Sequence, residues 1–332
     1  MTHRRRRLRR TLVTAVGTTG LLVLAACGEA GTRAVPADAG GAYPVTVENC
    51  GAEVTFDAAP ERLVLLKSAS VTYLARLGVL DRAVARAGQY PREYYDEETW
   101  ATLEEVPLLT DRVDTSGHLQ ISREAVLAEE PDLVFGLVDN LDRGTLDASG
   151  IPLLEEPALC PSWDAEPKWE DIGDQMRLYG EVFGEPERAA QEAEELEAEV
   201  AAVRDGIDLG DLRTAAVLYP TVGGGVTYAY GTRSMAHPQL EALGLENVFG
   251  DVDERVFEVG TEELLGRDPD VLVLLYGDGD PAAVERAVTG LPGAEDLTAV
   301  REGRLVTQLF NYTEPPSSLA VEGLRQLAEA LS

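Results

Sequence analysis

The tightest constraint on how this chain can fold is a rhythm that it plays twice: short uninterrupted apolar runs, each followed by a helical pattern. From Arg62, "RLVLL" reads as a buried strand, "SVTYLARLGVL" as a helix ending at Gly78, and "AVARAG" as a second strand. "SREAVLAEE" then reads as a helix, "PDLVFGL" as a strand, "LDRGTLDAS" as a helix and "IPLLEE" as a strand. A strand that is apolar on both faces must be covered on both faces. Helices alternating with such strands supply that cover, which points to a parallel α/β sheet.

The rhythm pauses at "KWEDIGDQMRLYGEVFGEPERAAQEAEELEAEVAAVRDGI". Ile172, Met176, Tyr179 and Phe183 recur every three or four residues, and Leu196, Val200, Val203 and Ile207 do so after a break at Gly184-Glu185-Pro186. The glutamates of "EAEELEAE" read as a solvated helix face. Beyond this tract the alternation resumes with "TAAVLY", "GGVTYAYG", "MAHPQLEALG", "RVFEV", "TEELLGRD", "PDVLVLLYG", "PAAVERAVTG", "GRLVTQLF" and a closing "SLAVEGLRQLAEAL". The halves match in order: Leu77-Gly78 with Leu243-Gly244, and Pro131-Asp132 with Pro269-Asp270. The expected architecture is two Rossmann-like α/β lobes, residues 45–167 and 208–332, joined by one long linking helix over 168–207, with a ligand cleft between them.

Residues 1–26 have the layout of an export signal: Arg4 to Arg7, Arg9 and Arg10, then an apolar run too short for a spanning helix. "LAAC" at 24–27 resembles the lipobox of bacterial lipoproteins, which makes Cys27 the expected lipid anchor. The Pro/Gly-rich stretch that follows reads as a flexible tether over 27–44. With Cys27 so used, Cys50 and Cys160 are an even pair in an oxidising compartment, read as a disulfide. Metal ligation is the poorer reading of the pair, since no His or third Cys is spaced to complete a site. Loss of residues 1–26 removes six arginines and no acid, moving the formal charge from −31 to −37. So acidic a surface repels nucleic acid, which excludes it as a partner.

Taken together, "APERLVLLKSASVTYLARLGVLDRAV", "ISREAVLAEEPDLVFG", "GTRSMAHPQLEALGLENVF", "GTEELLGRDPDVLVLL" and "LTAVREGRLVTQ" resemble the type-III periplasmic binding proteins of ABC importers. That class captures ferric siderophores, haem and cobalamin. The likeness runs from about Val45 to Leu331, and "ENCG" with a mid-chain Cys is similar to a Gram-positive subgroup. It implies a lipid-anchored monomer on the outer face of the cell membrane, capturing an iron-siderophore complex for an ABC permease, with no resident cofactor. Family members often carry a docking glutamate early in the first helix of each lobe. Here Thr72 and Pro238 stand at those positions, and Glu241, one turn on, is the candidate substitute in the second lobe.

Open parallel sheets bind ligands outside the carboxyl ends of their strands. In two facing lobes those ends border the cleft, which singles out Ser68, Ser70, Tyr90, Arg112, His118 and Trp163 in the first lobe. In the second they are Tyr219, Tyr230, Arg233, Tyr276 and Tyr312. Tyrosine offers a rigid apolar face and one hydroxyl, suited to a chelate surface. A guanidinium pairs with carboxylates and stacks on rings. For each of these residues packing or a structural ion pair competes with ligand contact; Trp163, beside Cys160, reads first as packing on the disulfide and second as a stacking surface.

Rival functions find less support. A bare-metal binder needs converging ligands, and beyond the signal only His118 and His237 remain. "VGGGV" at 222–226 lacks the Lys-Ser/Thr of a phosphate loop and reads as a hairpin turn, and "DGD" at 278–280 reads as a loop rather than a calcium site. No nucleophile elbow, Cys-His pair or dinucleotide fingerprint is present, so no enzyme is expected.

Overall fold

The computed structural model describes residues 43–114 and 118–332, so Cys27 and the export segment lie outside the described residues. The body opens with a hairpin, β1 (Val45–Asn49) and β2 (Ala52–Phe56), turning at Cys50-Gly51. The first lobe follows as β3 (Leu63–Leu65), α1 (Ala69–Leu77), β4 (Ala83–Ala87), α2 (Glu97–Glu105), β5 (Leu108–Thr110), α3 (Arg123–Leu127), β6 (Leu133–Phe135), α4 (Arg143–Asp147) and β7 (Leu153–Leu154). Its five strands run in the order β5-β4-β3-β6-β7 and all are parallel.

Two helices come next, α5 (Trp169–Phe183) and α6 (Pro186–Gly206). The second lobe then runs β8 (Thr214–Pro220), β9 (Thr227–Tyr230), α7 (Ala236–Ala242), β10 (Glu246–Asn247), β11 (Val256–Val259), α8 (Thr261–Arg267), β12 (Val271–Tyr276), α9 (Pro281–Thr289), α10 (Thr298–Arg301), β13 (Leu305–Leu309) and α11 (Ser318–Leu331). Its main order is β11-β9-β8-β12-β13, with β10 paired to β8. The sheet is mixed, because β8 and β9 form a hairpin around 221–226 and β11 runs antiparallel to β9. Among the described residues no helix is long and apolar enough to cross a membrane.

The apolar strands distribute their side chains with a period of two, as a pleated strand must. Leu63, Leu65, Leu133 and Phe135 enter one core, whereas Val64, Leu66 and Val134 enter another on the opposite face. In the second lobe Ala215, Val217, Val271, Val273 and Leu275 join the first core, and Ala216, Leu218, Leu272 and Leu274 form a third. One core is therefore shared by both lobes and the helices between them. The other two belong to one lobe each.

The internal repeat has a physical meaning. Asp132, which follows Pro131, accepts the backbone N–H groups of Glu61 and Arg62 at 2.8 Å each, fixing the approach to β3. Asp270, which follows Pro269, does the same for Arg213 and Thr214 at 2.9 and 3.1 Å, ahead of β8. Gly78 and Gly244 both take positive φ, 71° and 76°, where a side chain would be strained.

The tract at 168–207 corrects the expectation of one linking helix. Gly184 adopts φ 73° and Pro186 opens the next helix, so the chain reverses and α5 packs antiparallel on α6. Small residues line the seam: a Cβ on Gly180 would lie 2.2 Å from that of Ala189, and one on Gly173 would lie 3.5 Å from that of Ala193. Only α6, about 30 Å long, keeps the role of a rod, touching α1 of one lobe and α7 and α11 of the other. The disulfide joins Cys50 to Cys160, 110 residues apart, with the Cα atoms 5.1 Å from each other.

Candidate inter-lobe binding cleft

The loops after β4 and β12 face each other across a cavity of about 570 Å³. The first lobe contributes Arg86, Gly88, Gln89, Tyr90, Glu93 and Trp100, and also Leu108 and Asp111. Tyr276, Asp278, Pro281 and Leu309 come from the second lobe. Gln89 Nε2 donates to Asp278 Oδ2 at 3.2 Å across the gap. A cavity between lobes, of this size and with this mixture of aromatic and polar walls, is the ordinary form of a small-molecule site.

The first-lobe wall is preformed. Arg86 emerges from β4, its Nε donating to the Val106 carbonyl at 3.1 Å and its guanidinium lying 5.3 Å from the Tyr90 ring centre and 6.0 Å from that of Trp100. Tyr90 donates its hydroxyl toward the Leu65 and Ala87 carbonyls, and burial pushes its pKa well up, so it stays a neutral phenol. Trp100, on α2, stacks on Tyr95 at 6.3 Å and carries the Arg92 guanidinium at 5.6 Å. The second-lobe wall is looser: Tyr276 is half-buried, with its pKa raised by burial and then by the Glu93 charge.

The lobes touch beside this cavity. Ser68 Oγ donates to Asn311 Oδ1 at 2.8 Å, Asn311 N donates to the Tyr94 hydroxyl at 2.9 Å, and the Tyr312 hydroxyl donates to the Glu93 carbonyl. Tyr94 and Tyr312 meet edge to face at 5.0 Å. The open-sheet rule would centre a ligand between β3 and β6, where strand order reverses. There Lys67 lies over Gly136 and binds Glu155 at 2.6 Å, filling that crevice, and the cavity opens one strand away, at β4.

Of the eleven candidates from sequence, Tyr90 and Tyr276 line the cavity, while Ser68 and Tyr312 bridge the lobes. Tyr219 stands close by, its hydroxyl beside Gly277 and its ring edge-on to Phe310 at 6.0 Å. Ser70 and Tyr230 are buried away from it. Arg112 and His118 sit on exposed loops. His118 Nδ1 lies 3.1 Å from Asp139 Oδ2 and, with Asp114, forms the one group among the described residues able to hold an ion. Arg233 is paired in fork fashion with Asp253 at 2.7 and 2.9 Å, and Trp163 is half-buried. Gln89, Asp111 and Asp278 lie in the strand-end segments "GQYP", "TDRVDTSGH" and "LYGDG" that the sequence singles out, whereas sequence reasoning missed Arg86, Glu93 and Trp100. A charge inside an otherwise apolar strand was the available signal for Arg86.

A larger hollow, about 680 Å³, lies wholly in the second lobe around His237, Glu241, Asn247, Asp251 and Arg267, and no Tyr, Trp or Phe lines it. The cleft is the better ligand site because it alone joins the lobes and offers aromatic faces. Glu241 projects from α7 with its side chain 63% exposed, whereas Thr72 bonds Ser318 at 2.6 Å and Pro238 is buried.

A family model described as periplasmic binding protein matches residues 63–309. The crystal structure of an ABC-type Fe3+-hydroxamate transport system from Saccharomonospora viridis is 52% identical, covering 87% of this chain and 99% of that one, with a TM-score of 0.82. A periplasmic heme-binding protein from a Roseiflexus species shares 22% identity over 82% of this chain and 97% of its own, at a TM-score of 0.63. The vitamin B12 binding protein of Vibrio cholerae shares 17%, covering 82% and 96%, at 0.59. No curated protein matches the chain. At their low identities the last two structures speak only for the fold. The length of the model match and the 52% relative together establish that the chain belongs to the type-III periplasmic binding proteins.

Proposed function

We propose that this protein is the substrate-binding component of an ABC importer, and that it captures a ferric siderophore of the hydroxamate kind in the inter-lobe cleft. The observation that carries the reading is the 52% relative, a protein of an ABC-type Fe3+-hydroxamate transport system that aligns over 99% of its length. The cleft supports it: Tyr90, Trp100 and Tyr276 offer flat faces, and the cavity suits a compact chelate. The protein acts as a receptor, not an enzyme. It works as a monomer outside the cell membrane, held through a lipid on Cys27, and presents exposed Glu241 to the permease. Haem and cobalamin are the second reading, because the family that the chain belongs to captures them as well as ferric siderophores.

Because Trp100 lines the cavity, its fluorescence reports occupancy. Titration against ferric hydroxamates, ferric catecholates, haem and cobalamin should show quenching at micromolar or lower concentration for a hydroxamate, and Trp100→Ala should weaken that binding about tenfold, about 1.4 kcal/mol. High-affinity quenching by cobalamin or haem, with none by any iron chelate, would overturn the iron assignment.

A further inference from the structure

Resting on the reading of an iron-chelate receptor, we infer that the cleft selects a neutral ferric chelate bearing a positively charged tail and rejects strongly anionic ones. The cavity is lined by one cation, Arg86, and three carboxylates, Glu93, Asp111 and Asp278. The acids stand on both walls, two from the first lobe and one from the second. Arg86 is committed already, to the Val106 carbonyl and to the rings of Tyr90 and Trp100. Arg92, the other guanidinium over Trp100, does not line the cavity and donates to the Tyr95 carbonyl.

The carboxylates are far less committed. Asp278 accepts one hydrogen bond, from Gln89. The side chains of Glu93 and Asp111 are exposed and make no hydrogen bond or ion pair with the described residues. The cavity therefore presents net negative charge with acceptors to spare. Coordination chemistry turns this into selectivity. Three hydroxamates, each carrying one negative charge, neutralise Fe3+ and leave an uncharged core. Three catecholates, each carrying two, leave the complex strongly anionic. An ammonium on a hydroxamate tail adds a positive charge that the spare carboxylates can bind, with the uncharged core against the aromatic wall. The expected preference is about tenfold, equivalent to about 1.4 kcal/mol, within reach of a few unit charges acting together on one ammonium in a solvated cleft.

The test uses the whole protein and three probes: a linear ferric tris-hydroxamate ending in a primary amine, the same chelate with its amine acetylated, and a ferric tris-catecholate. At low salt the amine form should bind about tenfold tighter than the acetylated form, with the gap narrowing as salt shortens the Debye length from about 30 Å to about 3 Å. The catecholate should bind most weakly. The triple variant E93Q/D111N/D278N should bring the amine-to-acetyl ratio toward one. An acetylated form that binds as well as the amine, a catecholate that matches either, or an unchanged ratio in the triple variant would each overturn the inference while leaving the iron-chelate reading intact. If none of the three binds and haem or cobalamin does, the reading beneath it falls as well.

Discussion

In both lobes an aspartate after a proline ties down the approach to the first strand of the sheet, and a left-handed glycine stops the helix that precedes the turn back. Each lobe also buries one glutamate against a cation: Glu155 with Lys67 in the first, Glu314 with Arg255 at 2.8 Å in the second. Beyond these shared devices the lobes diverge. The first has a wholly parallel, short-stranded sheet, and a disulfide ties its opening hairpin to the segment after β7. The second is mixed, with longer strands and no staple among the described residues. The staple thus sits in the lobe whose central strand β3 has three residues, against seven for β8 in the other.

Breaking the staple should produce the largest effect. A closed loop of about 110 residues restricts the unfolded chain, and its loss should cost about 4 to 5 kcal/mol by the loop-entropy relation. Denaturant unfolding of C50S/C160S against the parent measures this, and a change below about 1 kcal/mol would mean the first lobe does not depend on the bond. The ion pairs come next. Lys67→Met and Arg255→Met each leave a glutamate almost fully buried, though each keeps two other donors. The cations are 30% and 34% exposed, so each loss should be about 2 kcal/mol, less than for a fully buried pair. Equal losses would show that the lobes match in this respect; a tenfold disparity in folding equilibrium would make the pair another point of divergence.

The smallest effect per step concerns Glu156, the neighbour of Glu155. Burial pushes its pKa up to about 8, and its one side-chain partner among the described residues is the Tyr179 hydroxyl, which donates at 2.9 Å. The folded protein therefore keeps a proton that the unfolded chain releases near the usual carboxylate pKa of about 4.3. Between that value and about 8 the native state binds more protons, so stability falls as pH rises, by at most about 1.4 kcal/mol per pH unit. Glu156→Gln should flatten that slope in melts taken from pH 5 to 9. A slope that survives the substitution would assign it to other groups.

The sequence was most informative where packing repeats. Apolar strands, the αL glycines at 78 and 244 and the paired Pro-Asp steps all carry local signatures, and the structure realises them. Arg86 and Trp100 were less legible. Arg86 sits in a strand read for its apolar neighbours, and Trp100 lies on α2, where "EETWATLEE" has too few apolar residues to announce a buried face. Partners distant in sequence left no trace either. Asp253 occupies the Arg233 guanidinium from twenty residues on, and Asn311 meets Ser68 across 243. Lys67 drew no notice as the residue that fills the sheet's own crevice and shifts the cavity toward β4.

The glycine–alanine seam between α5 and α6 has a mechanical outcome. Both helices reach both halves: α5 rests on the first lobe's hairpin and donates Trp169 Nε1 to the Pro238 carbonyl of the second, while α6 touches α1 of the first and α7 and α11 of the second, so the seam lies inside the core that the lobes share. A methyl at Gly180 would lie 2.2 Å from that of Ala189, so any side chain there wedges the two helices apart within that core.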